Sequence, residues 1–226
     1  MRKALVTNAL TGILVVCAVI ITTAVVRREF FPSARAATTS GGLPQPAPVK
    51  DWQTLSSAGR LIGSPDAPFK LVEFSDYQCP FCKTLNTTIV DLQKKYPGRV
   101  AVVYRHLPLK GHAHAVAAAA AVECAGEQGR FEPLNHLLFE RQDSIGVTPW
   151  EKLAHEAGVP DTTRFRVCRG EPRIQKRIDE DMAAAKSAGF TGTPTLVIRD
   201  KSVTAAVPLD TLERWIERAD PTALKR

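Results

Sequence analysis

A short apolar run leads directly into a Cys-x-x-Cys motif, and this junction limits the possible folds more than any other feature of the chain. LVEF at residues 71–74 is typical of a buried strand, and CPFC follows at residues 79–82. Apolar side chains then recur every three or four residues until Pro97 and Gly98, which predicts an amphipathic helix. VAVVY at residues 100–104 predicts a second strand. The order strand, helix, strand indicates a parallel βαβ unit with the cysteines at the start of its helix.

The rest of the chain predicts a run of helices, then two strands and a final helix. Residues 113–188 contain several helical patterns, one of which begins with Thr-Pro-Trp-Glu and would have Thr148 as its N-cap. TLVI at residues 195–198 and the stretch at 202–206 predict a hairpin, and a helical pattern follows Pro208. We therefore expect an α/β domain over residues 52–226, built as βαβ–ββα with an all-helical insertion at about residues 110–188.

The first 28 residues predict a membrane anchor. Residues 4–26 contain no charged side chain, and as a helix they would span roughly 35 Å, enough to cross a bilayer core. The alternative is a signal peptide with a cleavage site in Ala-Arg-Ala at residues 34–36, although such signals usually have an apolar core of about 7–15 residues. Residues 29–51 are rich in Pro, Gly, Ser, Thr and Ala, which predicts a flexible linker.

Charge and ligand spacing argue against two other classes of function. The net charge is +7, but basic and acidic residues alternate and no basic stripe is interleaved with aromatic residues, so we expect no nucleic-acid binding. A Cys-x-x-Cys motif can hold zinc, but a zinc site needs two further ligands at a recognisable spacing. His112 and His114 are two residues apart and would point to different sides of a helix. We expect neither a metal nor another cofactor.

The two cysteines have the chemistry of a redox pair. The thiolate is the reactive form, and a cysteine at a helix N-terminus has a lowered pKa because the backbone N–H groups there are unpaired. Cys79 would be this nucleophile, and Cys82, one turn further along, would resolve the mixed disulfide. Pro80 suits a first helical turn, and Phe81 adds no charge or strong donor; both would tune the redox potential. A purely structural Cys79–Cys82 bond would close a very small loop and stabilise little.

Three segments together resemble the DsbA-like thiol–disulfide oxidoreductases of the thioredoxin superfamily. They are VEFSDYQCPFC at residues 72–82, AVECAGEQGRFEPLNHLLFE at 121–140 and GFTGTPTLVI at 189–198. The resemblance covers roughly residues 58–220 and implies a thioredoxin fold with a helical insertion. Asp76 and Tyr77 belong to the matching segments, but no role follows for them from the sequence.

The resemblance also implies roles for three residues outside the cysteine motif. Pro194 would be a cis proline packed against the cysteine pair, and Thr193 would offer backbone groups to an extended substrate segment. Glu73 matches an acidic residue on the strand beneath the cysteines, where it would accept or relay the proton of Cys82. The alternative for Glu73 is a solvated side chain at a strand edge.

Two further cysteines are expected to pair within the insertion. With Cys17 in the apolar run, four cysteines remain, and the proximity of Cys79 and Cys82 leaves Cys124 and Cys168. This bond would close a loop of about 45 residues and contribute roughly 4 kcal/mol. Two buried free cysteines are the alternative. A disulfide here would indicate an oxidising compartment, and so an anchor that places the domain outside the cytoplasm.

These features predict a membrane-anchored oxidoreductase with its catalytic domain on the periplasmic or extracytoplasmic side. It would introduce disulfides into reduced or unfolded exported proteins, and the resemblance implies reoxidation by a membrane quinone-linked thiol oxidase. A reductase or isomerase would use the same pair in the other direction. Family isomerases carry a dimerisation module, which the short polar linker does not supply, so we expect a monomeric oxidase. A non-catalytic thioredoxin-like metal-binding module is a further alternative, against which the intact Cys-x-x-Cys argues.

Overall fold

A mixed sheet with helices on both faces forms the part of the chain that the structure describes. The structure is a computed structural model and describes residues 43–225. The strands are β1 (Ala47–Pro48), β2 (Arg60–Ile62), β3 (Phe69–Ser75), β4 (Val100–His106), β5 (Thr195–Ile198) and β6 (Lys201–Thr204). The helices are α1 (Trp52–Ser56), α2 (Pro80–Lys95), α3 (Ala115–Gly126), α4 (Phe131–Glu140), α5 (Trp150–Glu156), α6 (Thr162–Cys168), α7 (Pro172–Ser187) and α8 (Leu209–Ala219), with a 3-10 turn at Gln142–Ser144.

The sheet places β3 at its centre. The strand order is β1-β6-β5-β3-β4-β2. β3 and β4 are parallel and joined by α2, whereas β3 pairs with β5 in antiparallel orientation. The chain leaves the carboxyl end of β3 after Ser75 and enters α2 five residues later, so the cysteine motif lies at this end of the sheet.

The two faces of β3 have different neighbours because side chains alternate along a strand. Leu71 packs in the larger core, which includes Leu85 of α2 and residues of the helical insertion. Val72 and Phe74 pack in a smaller core on the opposite face. By the same alternation, Glu73 lies on the face of Leu71, towards the larger core.

Two buried carboxylates hold the helical insertion against the sheet. Glu123 of α3 bonds to Arg60 of β2 at 2.6 Å and contacts His106 of β4 at 3.0 Å. Asp181 of α7 bonds to the Arg105 side chain at 2.6 Å. Although burial opposes it, the contacts with His106 and Arg60 lower the pKa of Glu123 to about 2. Charge pairing therefore fixes α3 to β2 and β4, and α7 to β4, the strand next to β3 in the sheet.

A disulfide joins α3 to α6 within the insertion. Cys124 and Cys168 are bonded with a Cα–Cα distance of 5.8 Å. Both residues are buried in the larger core. The pairing expected from the sequence is therefore present in the structure, and the two cysteines are not free thiols.

The N-terminal part of the domain differs from the prediction. Ala47 and Pro48, assigned to the linker from the sequence, form β1 and pair with β6, so a linker extending to residue 51 is wrong at these positions. Their Pro-rich composition concealed a two-residue edge strand, a position that proline tolerates. The predicted anchor at residues 1–28 and the linker up to residue 42 lie outside the described residues. Within residues 43–225, no helix is long and apolar enough to cross a membrane.

The start of α5 also differs from the prediction. Pro149, rather than Thr148, is the N-cap, and no side chain caps this helix. The backbone N–H of Thr148 instead donates to the carbonyl of Ser144 at 2.9 Å. Thr148 therefore belongs to the preceding turn, and the predicted capping box at this position is wrong.

Candidate redox-active site

Cys79 is the N-cap residue of α2. Its backbone is extended, and Pro80 occupies the first turn of the helix without needing an N–H partner. The Cys79 carbonyl accepts hydrogen bonds from the backbone N–H groups of Cys82 at 3.1 Å and Lys83 at 3.2 Å. The motif therefore lies at the start of a helix, where the sequence predicts it, and both Cys79 and Cys82 are free thiols.

The Cys79 sulfur lies against the loop before β5. Its thiol donates to the carbonyl of Thr193 at 3.3 Å, and the Thr193–Pro194 peptide bond is cis. A hydrogen bond with the Cys82 thiol, helped by the backbone N–H groups of Cys82 and Phe81, lowers the pKa of Cys79 to about 5, against the opposing effect of burial. The structure thus brings the Cys79 sulfur into contact with Thr193, the residue before the cis proline Pro194.

Cys82 has the opposite electrostatic environment. It is fully buried, and its sulfur accepts a long hydrogen bond of 3.5 Å from the backbone N–H of Asp76. Burial raises the pKa of Cys82 far above its usual range. The two thiols therefore differ: Cys79 favours the thiolate at neutral pH, and Cys82 favours the protonated thiol.

Glu73 is a buried carboxyl group on the face of β3 that packs against the core containing Cys82. The residue is 3% exposed, so it is not a solvated glutamate at a strand edge. Its Oε1 has no hydrogen-bond partner, and neither has the hydroxyl of Ser75 on the same strand. Burial raises the pKa of Glu73 to about 7. A carboxyl group with this pKa can either give or take a proton near neutral pH.

Phe81 differs from the two cysteines of the motif because it is open to solvent. The residue is 64% exposed, beside a Cys79 that is only 4% exposed. It therefore brings an exposed apolar surface to the site, next to the sulfur that lies at the start of α2.

Asp76 has a structural role that the sequence did not reveal. Its Oδ2 accepts a hydrogen bond from the backbone N–H of Leu109 and contacts Nδ1 of His112, both at 2.7 Å. Its Oδ1 accepts from the N–H of Gln78 at 2.7 Å. Leu109 and His112 lie more than 30 residues from Asp76 in the sequence, and no local pattern connects them with it. Among residues 43–225, no group of three or more His, Cys, Asp or Glu side chains could hold a metal ion.

Comparisons with known proteins point to one family. A family model described as thioredoxin matches residues 55–218. A thioredoxin-like oxidoreductase of Silicibacter pomeroyi is 28% identical with a TM-score of 0.65, covering 75% of this chain and 97% of that one. DsbA2 of Pseudomonas aeruginosa is 29% identical with a TM-score of 0.55, covering 81% of this chain and 100% of that one.

A curated relative is much longer than this chain. The Na(+)/H(+) antiporter NhaA 1 of Mycolicibacterium gilvum is 34% identical over 162 residues, which make up 70% of this chain and 26% of the antiporter. The match therefore spans about a quarter of that relative's length.

Proposed function

We propose that this chain, which belongs to the thioredoxin family and is a DsbA-like thiol–disulfide oxidoreductase, introduces disulfides into exported proteins. The observation that carries the proposal is the difference between the two thiols. Cys79 has a pKa of about 5 at the start of α2, while burial raises the pKa of Cys82. A stabilised Cys79 thiolate favours the reduced form of the pair, so the disulfide form is a good oxidant.

The reaction would begin with the Cys79–Cys82 disulfide and a thiolate of the client protein. The client sulfur attacks Cys79, a client–Cys79 bond forms, and the Cys79–Cys82 bond breaks with Cys82 as the leaving group. A second client thiolate then attacks the client sulfur of the mixed disulfide and releases the Cys79 thiolate. The client loses two electrons, and the cysteine pair gains them.

Glu73 would supply the proton that Cys82 needs as it leaves. Cys82 is fully buried, so a bare thiolate there is costly and protonation must come from a nearby group. Glu73 lies on the face of β3 that packs against the larger core, and this core contains Cys82. Its pKa of about 7 keeps Glu73 partly protonated at neutral pH. In the reverse direction the same carboxylate would accept the Cys82 proton.

Thr193 and Pro194 would position the client next to Cys79. The Thr193 carbonyl already accepts a hydrogen bond from the Cys79 thiol, so this loop lies in contact with the sulfur that the client attacks. An extended client segment could use backbone groups of Thr193 as a strand would. Phe81, which is exposed beside Cys79, would contact apolar client residues. Phe81 and Pro80 would also tune the redox potential of the pair.

The setting of the reaction would be the extracytoplasmic side of a membrane. The Cys124–Cys168 disulfide supports an oxidising compartment, and the curated relative described above is named as a Na(+)/H(+) antiporter. Residues 1–28 would anchor a monomeric domain, and residues 29–46 would form the linker. A membrane quinone-linked thiol oxidase would accept the electrons from reduced Cys79 and Cys82.

Trapping of the mixed disulfide tests this proposal. A Cys82→Ala variant cannot resolve the intermediate, so it should accumulate client proteins covalently bound to Cys79. Cys79→Ala is the matched control, because it removes the sulfur that clients attack and should trap none. If the Cys82→Ala variant forms no client adducts in cells and the wild-type domain instead binds metal stoichiometrically, the protein is not a disulfide oxidoreductase in vivo.

A further inference from the structure

Residues 76–79, which we call the redox segment, immediately precede α2. All four of them contact the helical insertion or the loop leading into it. Each contact joins a side chain to a side chain or to the backbone, across at least 33 residues of sequence. The contacts are Asp76 Oδ2 with Leu109 N and His112 Nδ1, Asn135 Nδ2 with Tyr77 OH, His114 N with Gln78 Oε1, and Gln142 Nε2 with the carbonyls of Tyr77 and Cys79.

Gln142 is the residue of the insertion that bonds directly to the backbone of Cys79. Its side-chain amide donates to the Tyr77 carbonyl at 2.8 Å and to the Cys79 carbonyl at 2.9 Å. An amide NH2 group has two hydrogens, so one side chain can satisfy both acceptors. Gln142 opens the 3-10 turn between α4 and α5 and is 63 residues from Cys79 in sequence. Nothing in the local sequence marks it as part of the site.

The two carbonyls that Gln142 holds determine how the chain enters α2. The Cys79 carbonyl also accepts the first N–H groups of the helix, from Cys82 and Lys83. The Tyr77 carbonyl lies in the Tyr77–Gln78 peptide plane and the Cys79 carbonyl lies in the Cys79–Pro80 plane. Holding both planes constrains the backbone on each side of Gln78 and Cys79, and therefore the direction of the Cys79 side chain.

We propose that Gln142 is a positioning residue of the redox site, which holds the Tyr77 and Cys79 carbonyls so that the N–H groups at the start of α2 stay directed at the Cys79 sulfur. This inference deepens the proposed function and rests on it, because both concern the same cysteine pair. Backbone N–H groups of Phe81 and Cys82 contribute to the lowered pKa of Cys79, which agrees with this geometry. The insertion would thereby set the oxidising strength of the pair and not only cover it.

Replacing Gln142 by methionine tests the inference. Gln142→Met keeps the length of the side chain and removes both donors without adding a charge. We expect the pKa of Cys79, measured in the reduced protein from the ultraviolet absorbance of the thiolate, to rise by about one unit. The equilibrium with glutathione should shift about tenfold towards the disulfide form of the protein, since one pKa unit of lost thiolate stabilisation corresponds to a factor of ten. Gln142→Glu should shift both quantities further in the same direction.

Gln128 provides a matched control elsewhere in the insertion. Its side chain also makes two hydrogen bonds to backbone, donating to the carbonyl of Asp161 and accepting from its N–H, both at 3.0 Å. Gln128→Met should lower the stability of the protein to a similar degree but leave the Cys79 pKa and the glutathione equilibrium at their wild-type values. If Gln142→Met changes stability alone, as Gln128→Met does, then Gln142 is merely structural and the inference is wrong.

The experiment separates this inference from the proposed function. The thiol titration needs no client protein, so it decides the role of Gln142 even if the wild-type protein fails to oxidise clients. Far-ultraviolet circular dichroism establishes that each variant is folded. If Gln142→Met does not fold, the same titration on Gln142→Asn, whose shortened amide does not reach both carbonyls, decides between a raised and an unchanged pKa.

Discussion

Replacing Glu73 by glutamine is expected to stabilise the folded protein at alkaline pH while slowing disulfide exchange. Burial raises the pKa of Glu73 from 4.5 to about 7. In the unfolded chain this carboxyl group loses its proton near pH 4.5, and in the folded protein it keeps the proton until about pH 7. The folded state therefore carries no electrostatic penalty below pH 4.5, and it carries the full penalty above pH 7.

The size of this penalty follows from the pKa shift. At about 1.36 kcal/mol per pKa unit, the shift of Glu73 corresponds to a cost of about 3 kcal/mol when the buried carboxylate is charged. Glutamine has nearly the same shape and no charge, so the Glu73→Gln variant would not carry this cost. The variant leaves polar atoms without partners, as the wild type does, and that contribution is the same at every pH.

Urea unfolding of the two reduced proteins at pH 4 and pH 8 measures this difference. The free energy of unfolding of Glu73→Gln relative to wild type should be about 3 kcal/mol more favourable to the folded state at pH 8 than at pH 4. Glu180→Gln, at an exposed glutamate of α7, is the control and should show no such pH dependence. A relative stability of Glu73→Gln that is equal at both pH values, or lower at pH 8, would refute the reasoning that Glu73 is a destabilised carboxylate kept for proton transfer.

The ion pairs of the insertion, its disulfide and the Cys79 thiol each give a further prediction. The pKa of Glu123 in the folded protein is about 2, so its ion pairs add about 3 kcal/mol of stability, which is present above pH 4.5 and is lost as the pH falls towards 2. Glu123→Gln should lower the free energy of unfolding by this amount in urea at pH 7. It should also reduce the loss of stability between pH 4.5 and pH 2. Replacing both Cys124 and Cys168 by alanine should cost roughly 4 kcal/mol, measured by urea unfolding, because the bond closes a long loop, and a loss below about 1 kcal/mol would contradict it. Alkylation of reduced Cys79 should reach half its maximal rate near pH 5, whereas a midpoint near pH 9 would mean that the thiolate is not stabilised.

The central part of the fold and of the site could be predicted from the sequence because its signals are local. The apolar run before the motif, the helical spacing after it and the Thr-Pro pair before the last strands each report on neighbouring residues. The strand predicted at residues 195–198 has the bounds of β5, Thr195–Ile198. The family and fold expected from the resemblance are confirmed by the thioredoxin match and by the related solved structures.

The remaining features depend on contacts between distant segments. β1 and β2 are two and three residues long, and they are strands only because β6 and β4 pair with them. Gln142 bonds to the redox segment, and Asp76 of that segment bonds to Leu109 and His112, through contacts that no spacing rule predicts. α5 begins one residue later than predicted because Thr148 belongs to the preceding turn. Such contacts become visible only when the folded chain brings the segments together.

The central claim, that the cysteine pair oxidises exported proteins, is tested most directly by the redox state of Cys79 and Cys82 in living cells. Acid quenching followed by alkylation with a mass-tagged reagent separates the dithiol from the disulfide form on a gel. A Cys79→Ala, Cys82→Ala double variant identifies the tags that come from other cysteines. The proposed oxidase predicts that the pair is mainly in the disulfide form at steady state. A pair that is mainly reduced would contradict the claim and indicate a reductase or isomerase.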